Sequence, residues 1–265
     1  MLDTIVITGV GGMGLACARR LGSGRQLLLA DFNTETLKSV ADELSDHGFN
    51  VATRQLDVAD PDGVRALAAA VQGRCRAIVH TAGVSPTMAK PDRIYAVDLL
   101  GTALVLDAFL PIATAGTVAV VIASMAGEFG GLTPELERRL ALAPTSELLG
   151  LVADLPESQA PGSAYCVAKR GNQLRVQAAA LAWGKRGARV VSISPGIIST
   201  PMGRLEMNQP MVAGLLKITP AGRAGTADDI AAAAAWLISE EASFVTGIDL
   251  RVDGGVVASQ RWLTS

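Results

Sequence analysis

Short apolar runs recur along the chain at Thr4 to Thr8, Gln26 to Ala30, Val51 to Gln55, Ala77 to His80, Thr117 to Ala123, Arg189 to Ile193 and Phe244 to Val252, which predicts seven strands. Helix-length segments separate most of them, among them Thr34 to His47, Asp60 to Val71, Asp92 to Leu110 and Thr226 to Ser239. Strand and helix in alternation make a parallel sheet covered on both faces. Right-handed crossovers then wind it in both directions. The expected fold is a single α/β, Rossmann-like doubly wound domain over residues 1–265, with a seven-stranded parallel sheet. One segment breaks the rhythm. Between Glu128 and Pro161, two helix-like pieces, Pro134 to Ala143 and Thr145 to Leu155, stand where a short strand-to-helix loop would serve, so a helical insertion is expected at about 128–160. Leu132, Leu136, Leu140, Leu142, Leu148, Leu149, Leu151 and Leu155 give it an apolar side. That side either caps a hydrophobic substrate or packs the helices down.

Composition narrows the partners. Hydrophobic residues are 49% and charged residues 18% of 265, which excludes a disordered chain. The formal net charge is −2 with both signs interspersed, so no basic stripe is offered to nucleic acid or to an anionic membrane, and the expected partner is a small molecule. Cys17, Cys75 and Cys166 are odd in number and far apart, fitting neither a disulfide framework nor a metal motif; no metal is expected, and a reducing cytoplasm is the simplest setting. Residues 108–127 carry no charge over about the length of a membrane span. Pro111, Thr114, Gly116 and Thr117 interrupt them, so they read as helix end, turn and buried strand. No basic leader precedes the first apolar run, which predicts no secretory signal.

Candidate chemistry begins at the first strand. Ile5 to Leu15 reads strand, glycine turn, helix, with G-x-G-x-x-G at Gly9, Gly11 and Gly14. Such a turn lets backbone approach a pyrophosphate, whose charge sits on the free N–H groups of the helix that follows. Asp31 ends the second strand seventeen residues after Gly14, close to the spacing of a carboxylate that binds a ribose 2′-hydroxyl. Neutral Phe32 and Asn33 follow where a 2′-phosphate would need Arg or Lys, so NAD is favoured over NADP. The bland alternatives are a plain tight turn and a helix-capping aspartate.

Tyr165 and Lys169 stand four apart on one face of the helix that Pro161-Gly162-Ser163 introduces. A phenol must lose about 3 pKa units, or about 4 kcal/mol, to exchange protons near neutrality, and a cation near 4 Å supplies about that much. Ser124 follows the fifth strand, at the sheet end where wound folds gather ligands. Its hydroxyl is a candidate to steady a carbonyl oxygen.

With these motifs in order, the chain resembles the short-chain dehydrogenase/reductase family in its compact single-domain branch. Thr8 to Gly14, including Gly12 and Met13, resembles the family's glycine motif, and Asp57-Val58 the pair flanking the adenine. His80-Thr81-Ala82-Gly83 stands where Asn-Asn-Ala-Gly is usual. Ser124, Tyr165 and Lys169 match the catalytic serine and the Y-x-x-x-K pair. Ser194 to Thr200, with Pro195, Gly196, Ile198 and Thr200, matches the segment that holds the nicotinamide end, and Asp253-Gly254-Gly255 resembles the carboxy-terminal turn. The resemblance implies reversible hydride transfer between NAD and a secondary alcohol or ketone. Tyr165 would be the general acid/base, Ser124 would orient the substrate oxygen, and Lys169 would lower the tyrosine pKa and bind ribose hydroxyls. It also implies a homodimer or homotetramer.

Three departures stand out. The glycine turn is one residue short, Thr81 replaces a sheet-stabilising asparagine, and Asp98 occupies the position of an asparagine that serves the proton path to the lysine. His80 reads as a satisfied core or edge histidine rather than a catalytic one. The insertion resembles one at a similar place in bacterial 3α-hydroxysteroid dehydrogenase/carbonyl reductases, which implies a steroid-like substrate. Two other functions remain open: a non-catalytic NAD(H)-binding redox sensor, although such relatives tend to lack the tyrosine and lysine, and a sugar-nucleotide-modifying relative, whose branch generally carries a larger carboxy-terminal region.

Overall fold

Seven strands form: β1 (Thr4–Thr8), β2 (Gln26–Asp31), β3 (Asn50–Gln55), β4 (Cys75–His80), β5 (Val118–Ile122), β6 (Arg189–Pro195) and β7 (Asp249–Val252). The computed structural model describes residues 2–153, 155 and 160–263. All strand pairings are parallel, in the order β3-β2-β1-β4-β5-β6-β7. The order reverses between β1 and β4, and a wound sheet opens its ligand crevice outside the carboxyl ends of its strands at that point.

The pleat explains why the strands read as unbroken apolar runs. Ile5, Ile7, Leu27, Leu29, Val118 and Val120 face one layer, while Val6, Leu28, Ile78, Ala119 and Val121 face the other. The first layer is closed by α1 (Gly12–Leu21), α2 (Thr34–Asp46) and, after the sixth strand, α10 (Ala227–Ile238). The second is closed by α3 (Pro61–Ala69), α5 (Gly101–Phe109) and α8 (Pro161–Gly184). Only β3, at the edge, is mostly exposed, and it carries Asn50, Thr53, Arg54 and Gln55. At the other edge, β7 is shorter than the run Phe244 to Val252 suggests. Gly247 takes φ +68°, and its N–H donates to Val190 O at 2.7 Å, so the segment before it turns and Phe244 is left fully exposed.

The helix expected at Asp92 to Leu110 runs from α4 (Pro91–Ile94) through a π-helical turn (Tyr95–Leu100) into α5. The span Pro91–Ile112 is long and apolar enough to cross a membrane, but 61% of its most apolar window is buried in the protein, as in a core helix. The stretch 108–127 resolves as expected into helix end, turn and β5.

The insertion folds as α6 (Pro134–Leu142), a 3₁₀ turn (Thr145–Glu147) and α7 (Leu148–Ala153). The expected second piece extended to Leu155; residue 154 lies outside the described residues, as do 156–159 within the expected insertion. Leu140 and Leu148 are fully buried with Ile94, Leu99 and Ala168, and Leu132, Leu136, Leu151 and Leu155 pack against the same cluster. Leu142 and Leu149 are exposed. Most of the apolar side therefore holds the insertion onto α8 and the π turn.

Candidate active site

The carboxyl ends of β1, β2 and β4, together with the segment after β6, open into a cleft of about 640 Å³. Gly9, Gly11, Gly12, Met13 and Gly14 line one wall of it. Gly9 has φ +81°, and a Cβ there would lie 2.5 Å from Ala82 N; a Cβ on Gly14 would run into the Gly9 carbonyl. Gly11 is the N-cap of α1, so the helix begins inside the cleft with its free N–H groups and positive end available to an anion. The Thr81 hydroxyl donates to Gly9 O at 2.5 Å, tying the end of β4 to the glycine turn.

Asp31 lines the same cleft. Its Oδ2 accepts from Val10 N–H and its Oδ1 from Asn33 N–H, both at 2.8 Å. The cap of α2 is Asn33 rather than Asp31, so the carboxylate is oriented by the turn and not consumed by the helix. Phe32, Asp57 and Val58 continue the wall. Arg93, which sequence reasoning missed, binds Asp57 Oδ2 at 2.9 Å and lies 5.5 Å from the Phe32 ring centroid. A lone arginine on a helix carries no local signal of such a bracket. Ala82, Gly83 and Thr200 complete the cleft, Thr200 also capping α9 (Pro201–Met207). Pro195, Gly196 and Ile198 do not line it. Pro195 ends β6, Gly196 N–H donates to Val252 O at 3.0 Å, and Ile198 bridges to Gly225 beside a smaller pocket.

At the inner end stand the four residues of the candidate catalytic set. Gly83 marks the boundary, because a Cβ on it would lie 2.5 Å from Asp98 Oδ1 and 3.4 Å from Lys169 Nζ. Lys169 is almost fully buried; its Nζ donates to Ile122 O at 3.3 Å, pairs with Asp98 Oδ1 at 3.4 Å and lies 5.4 Å from the Tyr165 ring centroid. Burial disfavours the ammonium, but Asp98, Tyr165 and Glu206 together outweigh this and hold its pKa above the ordinary lysine value. Asp98 sits in the π turn, fully buried, its carboxyl pushed up by burial against the pull of Lys169 and of Val84 N–H.

Tyr165 departs from expectation. Burial raises its phenol above the usual value; Lys169 and a Ser124 hydrogen bond lower it, while Asp98 and Glu206 raise it, and the net direction is up. The cation pulls the phenol down, but the loss of water and two nearby carboxylates outweigh it. Ser124 Oγ accepts from Ala126 N–H at 3.1 Å, capping the 3₁₀ turn Met125–Phe129, which leaves its own proton to donate. Glu206, on α9, went unnoticed in the sequence because its partners are remote. It is half-buried, bonds to the fully buried Ser85, and burial raises its carboxyl.

His80 is structural, as expected. Thr102 Oγ1 spends its proton on Asp98 O (2.7 Å), so it accepts from His80 Nε2–H (3.1 Å), and Nδ1 then accepts from the Thr8 hydroxyl (2.6 Å). Burial, aided by the charge of Lys169, holds the ring pKa down to about 3, so it is neutral at ordinary pH.

Family comparison agrees with the geometry. Residues 3–133 match the model of the short chain dehydrogenases, and residues 149–257 match one described as Enoyl-(Acyl carrier protein) reductase. The short-chain dehydrogenase/reductase bsc3 of Alternaria brassicicola is 38% identical over 97% of this chain and 96% of its own length. D-threitol dehydrogenase of Mycolicibacterium smegmatis is 31% identical over 94% and 91%, respectively. Among solved structures, the 3-alpha-hydroxysteroid dehydrogenase of Pseudomonas sp. B-0831, complexed with NADH, superposes with a TM-score of 0.79 at 25% identity, covering 98% of both chains. The parallel order of the strands, the glycine turn under α1 and relatives aligned along nearly the whole length lead to one conclusion: the chain is an oxidoreductase of the short-chain dehydrogenase/reductase family.

Proposed function

We propose that the protein interconverts a secondary alcohol and a ketone with NAD as hydride partner, Tyr165 acting as the proton-transfer group. The observation that carries this reading is the meeting of Ser124, Tyr165 and Lys169 behind Gly83, at the inner end of a cleft whose walls suit a dinucleotide. The cleft residues fit the group. The α1 N-terminus suits a pyrophosphate, Asp31 a ribose diol, and the Phe32–Arg93 bracket the adenine end. When bound, the nicotinamide supplies the hydride exchange. The chain's own residues manage the proton. Ser124 donates its hydroxyl to the substrate oxygen, and Tyr165 takes the alcohol proton in oxidation or returns it in reduction. Two contacts of Lys169 are taken by Ile122 O and Asp98, leaving a third N–H for a ribose hydroxyl or the phenolate.

Because the phenol is raised, alcohol oxidation should strengthen as pH rises and more phenolate forms. Asp98→Asn removes a charge that raises Tyr165, so the rising limb of the oxidation profile should move to lower pH while turnover survives. The profile of kcat/KM against pH checks this, and an unmoved limb would take Asp98 out of the proton chemistry.

Glu206 near the phenol favours neutral alcohols with further hydroxyl donors over hydroxy acids, whose carboxylate it repels. The hydrophobic, steroid-like class suggested by the insertion fits the same neutrality, although the leucines that motivated it mostly pack inward. The test is NADH formation from a panel of steroid alcohols, cyclic alcohols, polyols and hydroxy acids, with NADP in parallel. Binding of NADH without turnover of any alcohol or ketone would instead favour the sensor reading. A homodimer or homotetramer is the expected assembly, and light scattering would reveal a monomer if that is wrong.

A further inference from the structure

One turn beyond Lys169, α8 carries a glutamine that is fully buried, Gln173. Its Nε2 lies 2.9 Å from Ser194 Oγ, 3.3 Å from the backbone oxygen of Ser124 and 3.4 Å from Asp249 Oδ2. Its Oε1 accepts from Arg170 Nη1 at 3.2 Å. This arrangement fixes the amide's direction, since the opposite flip would turn its NH₂ toward a guanidinium and its oxygen toward acceptors. The amide presses against the turn that follows the serine, where a Cβ on Gly127 would lie 2.8 Å from it. Arg170 is held in turn by Glu137 of the insertion, Nε to Oε1 at 2.7 Å.

Glu137, Arg170 and Gln173 thus form a continuous polar chain from α6 to the backbone of Ser124. The Ser124 oxygen also accepts from Gly127 N–H at 3.1 Å, and its Oγ accepts from Ala126 N–H. With these bonds in place, the serine's remaining freedom is mainly the direction of its O–H. We propose that Gln173 is a positioning residue that sets the aim of Ser124, and that the insertion anchors it through Glu137 and Arg170. This rests on the reading of Ser124 as the group that holds the substrate oxygen. It gives the insertion a part in turnover beyond any covering of the substrate.

The test is a double-mutant cycle on the full chain, with turnover, NADH affinity and thermal midpoint measured for each protein. Gln173→Met keeps the length of the side chain and removes both its donors and its acceptor. It should lower kcat by about 10- to 100-fold through loss of serine alignment while leaving NADH affinity near wild type. In a Ser124→Ala background the same change should cost less than about 2-fold, because nothing remains to be aimed. Glu137→Gln, at the less buried end, should lower kcat by a smaller factor that likewise vanishes without the serine; it decides the matter if Gln173→Met does not fold. An equal cost with and without the serine hydroxyl would overturn the positioning role while leaving the dehydrogenase reading intact. Full turnover by Ser124→Ala alone would instead overturn the serine's role, and the chain of contacts with it.

Discussion

Tyr165→Phe should reduce kcat by about 10²- to 10⁴-fold, the usual worth of a positioned acid/base group, and leave NADH affinity nearly unchanged. The substitution removes one oxygen and nothing else. The Tyr165 ring packs at the border of the cluster that joins α8 to the insertion, and phenylalanine keeps that packing. Lys169 keeps Ile122 O and Asp98, so the ammonium stays paired and buried. The residues proposed to hold most of the dinucleotide, at the glycine turn and at Asp31, lie on other strands. A large fall in kcat with little change in NADH affinity is therefore the signature of lost proton transfer, whereas a destabilised site would weaken both. Steady-state kinetics in both directions, with NADH titrated by fluorescence, separates the cases. Turnover within a few-fold of wild type would remove Tyr165 from the chemistry.

The second large effect is expected at the far end of the cleft. Asp31→Ser combined with Phe32→Arg should reverse cofactor preference, the ratio of NAD to NADP efficiencies swinging by about 100-fold or more, equivalent to about 2.8 kcal/mol. In the wild type, Asp31 holds a fixed carboxylate at the place the proposed binding mode gives to a 2′-phosphate, and like charges brought together cost several kcal/mol. Serine removes the repulsion and can still accept a hydrogen bond, and arginine offers the phosphate a fork of donors. Phe32 is mostly exposed, so the exchange does not disturb the core. Comparison of kcat/KM for the two cofactors with one alcohol is the measurement. An unchanged ratio would mean that Asp31 serves only its bonds to Val10 and Asn33.

The contrast between Asp31 and Glu206 shows what a reading of residues in order can reach. The place of Asp31 in the cleft was legible because it depends on the end of β2 and on the distance along the chain from the glycine turn. Glu206 depends on α9 folding back over the site toward Ser85, more than a hundred residues earlier, and nothing in its neighbours announces this. Arg93 and Gln173 are alike in this respect. The raised phenol of Tyr165 is a further case. The pair with Lys169 follows from a four-residue spacing on one helix, but the net direction of the shift depends on burial and on carboxylates brought in from the π turn and from α9.

Strand periodicity, the Gly9–Gly14 turn and the Tyr165–Lys169 spacing were determined by the sequence alone, because pleat, helical pitch and the absence of a Cβ act between near neighbours. The order of the strands, the burial that holds His80 neutral, the pairing of Lys169 with Asp98 and the link from Glu137 to Ser124 were decided only by the tertiary structure. Desolvation and charge pairing depend on which distant groups packing brings within a few ångströms, and that distance is not written in any local stretch of chain.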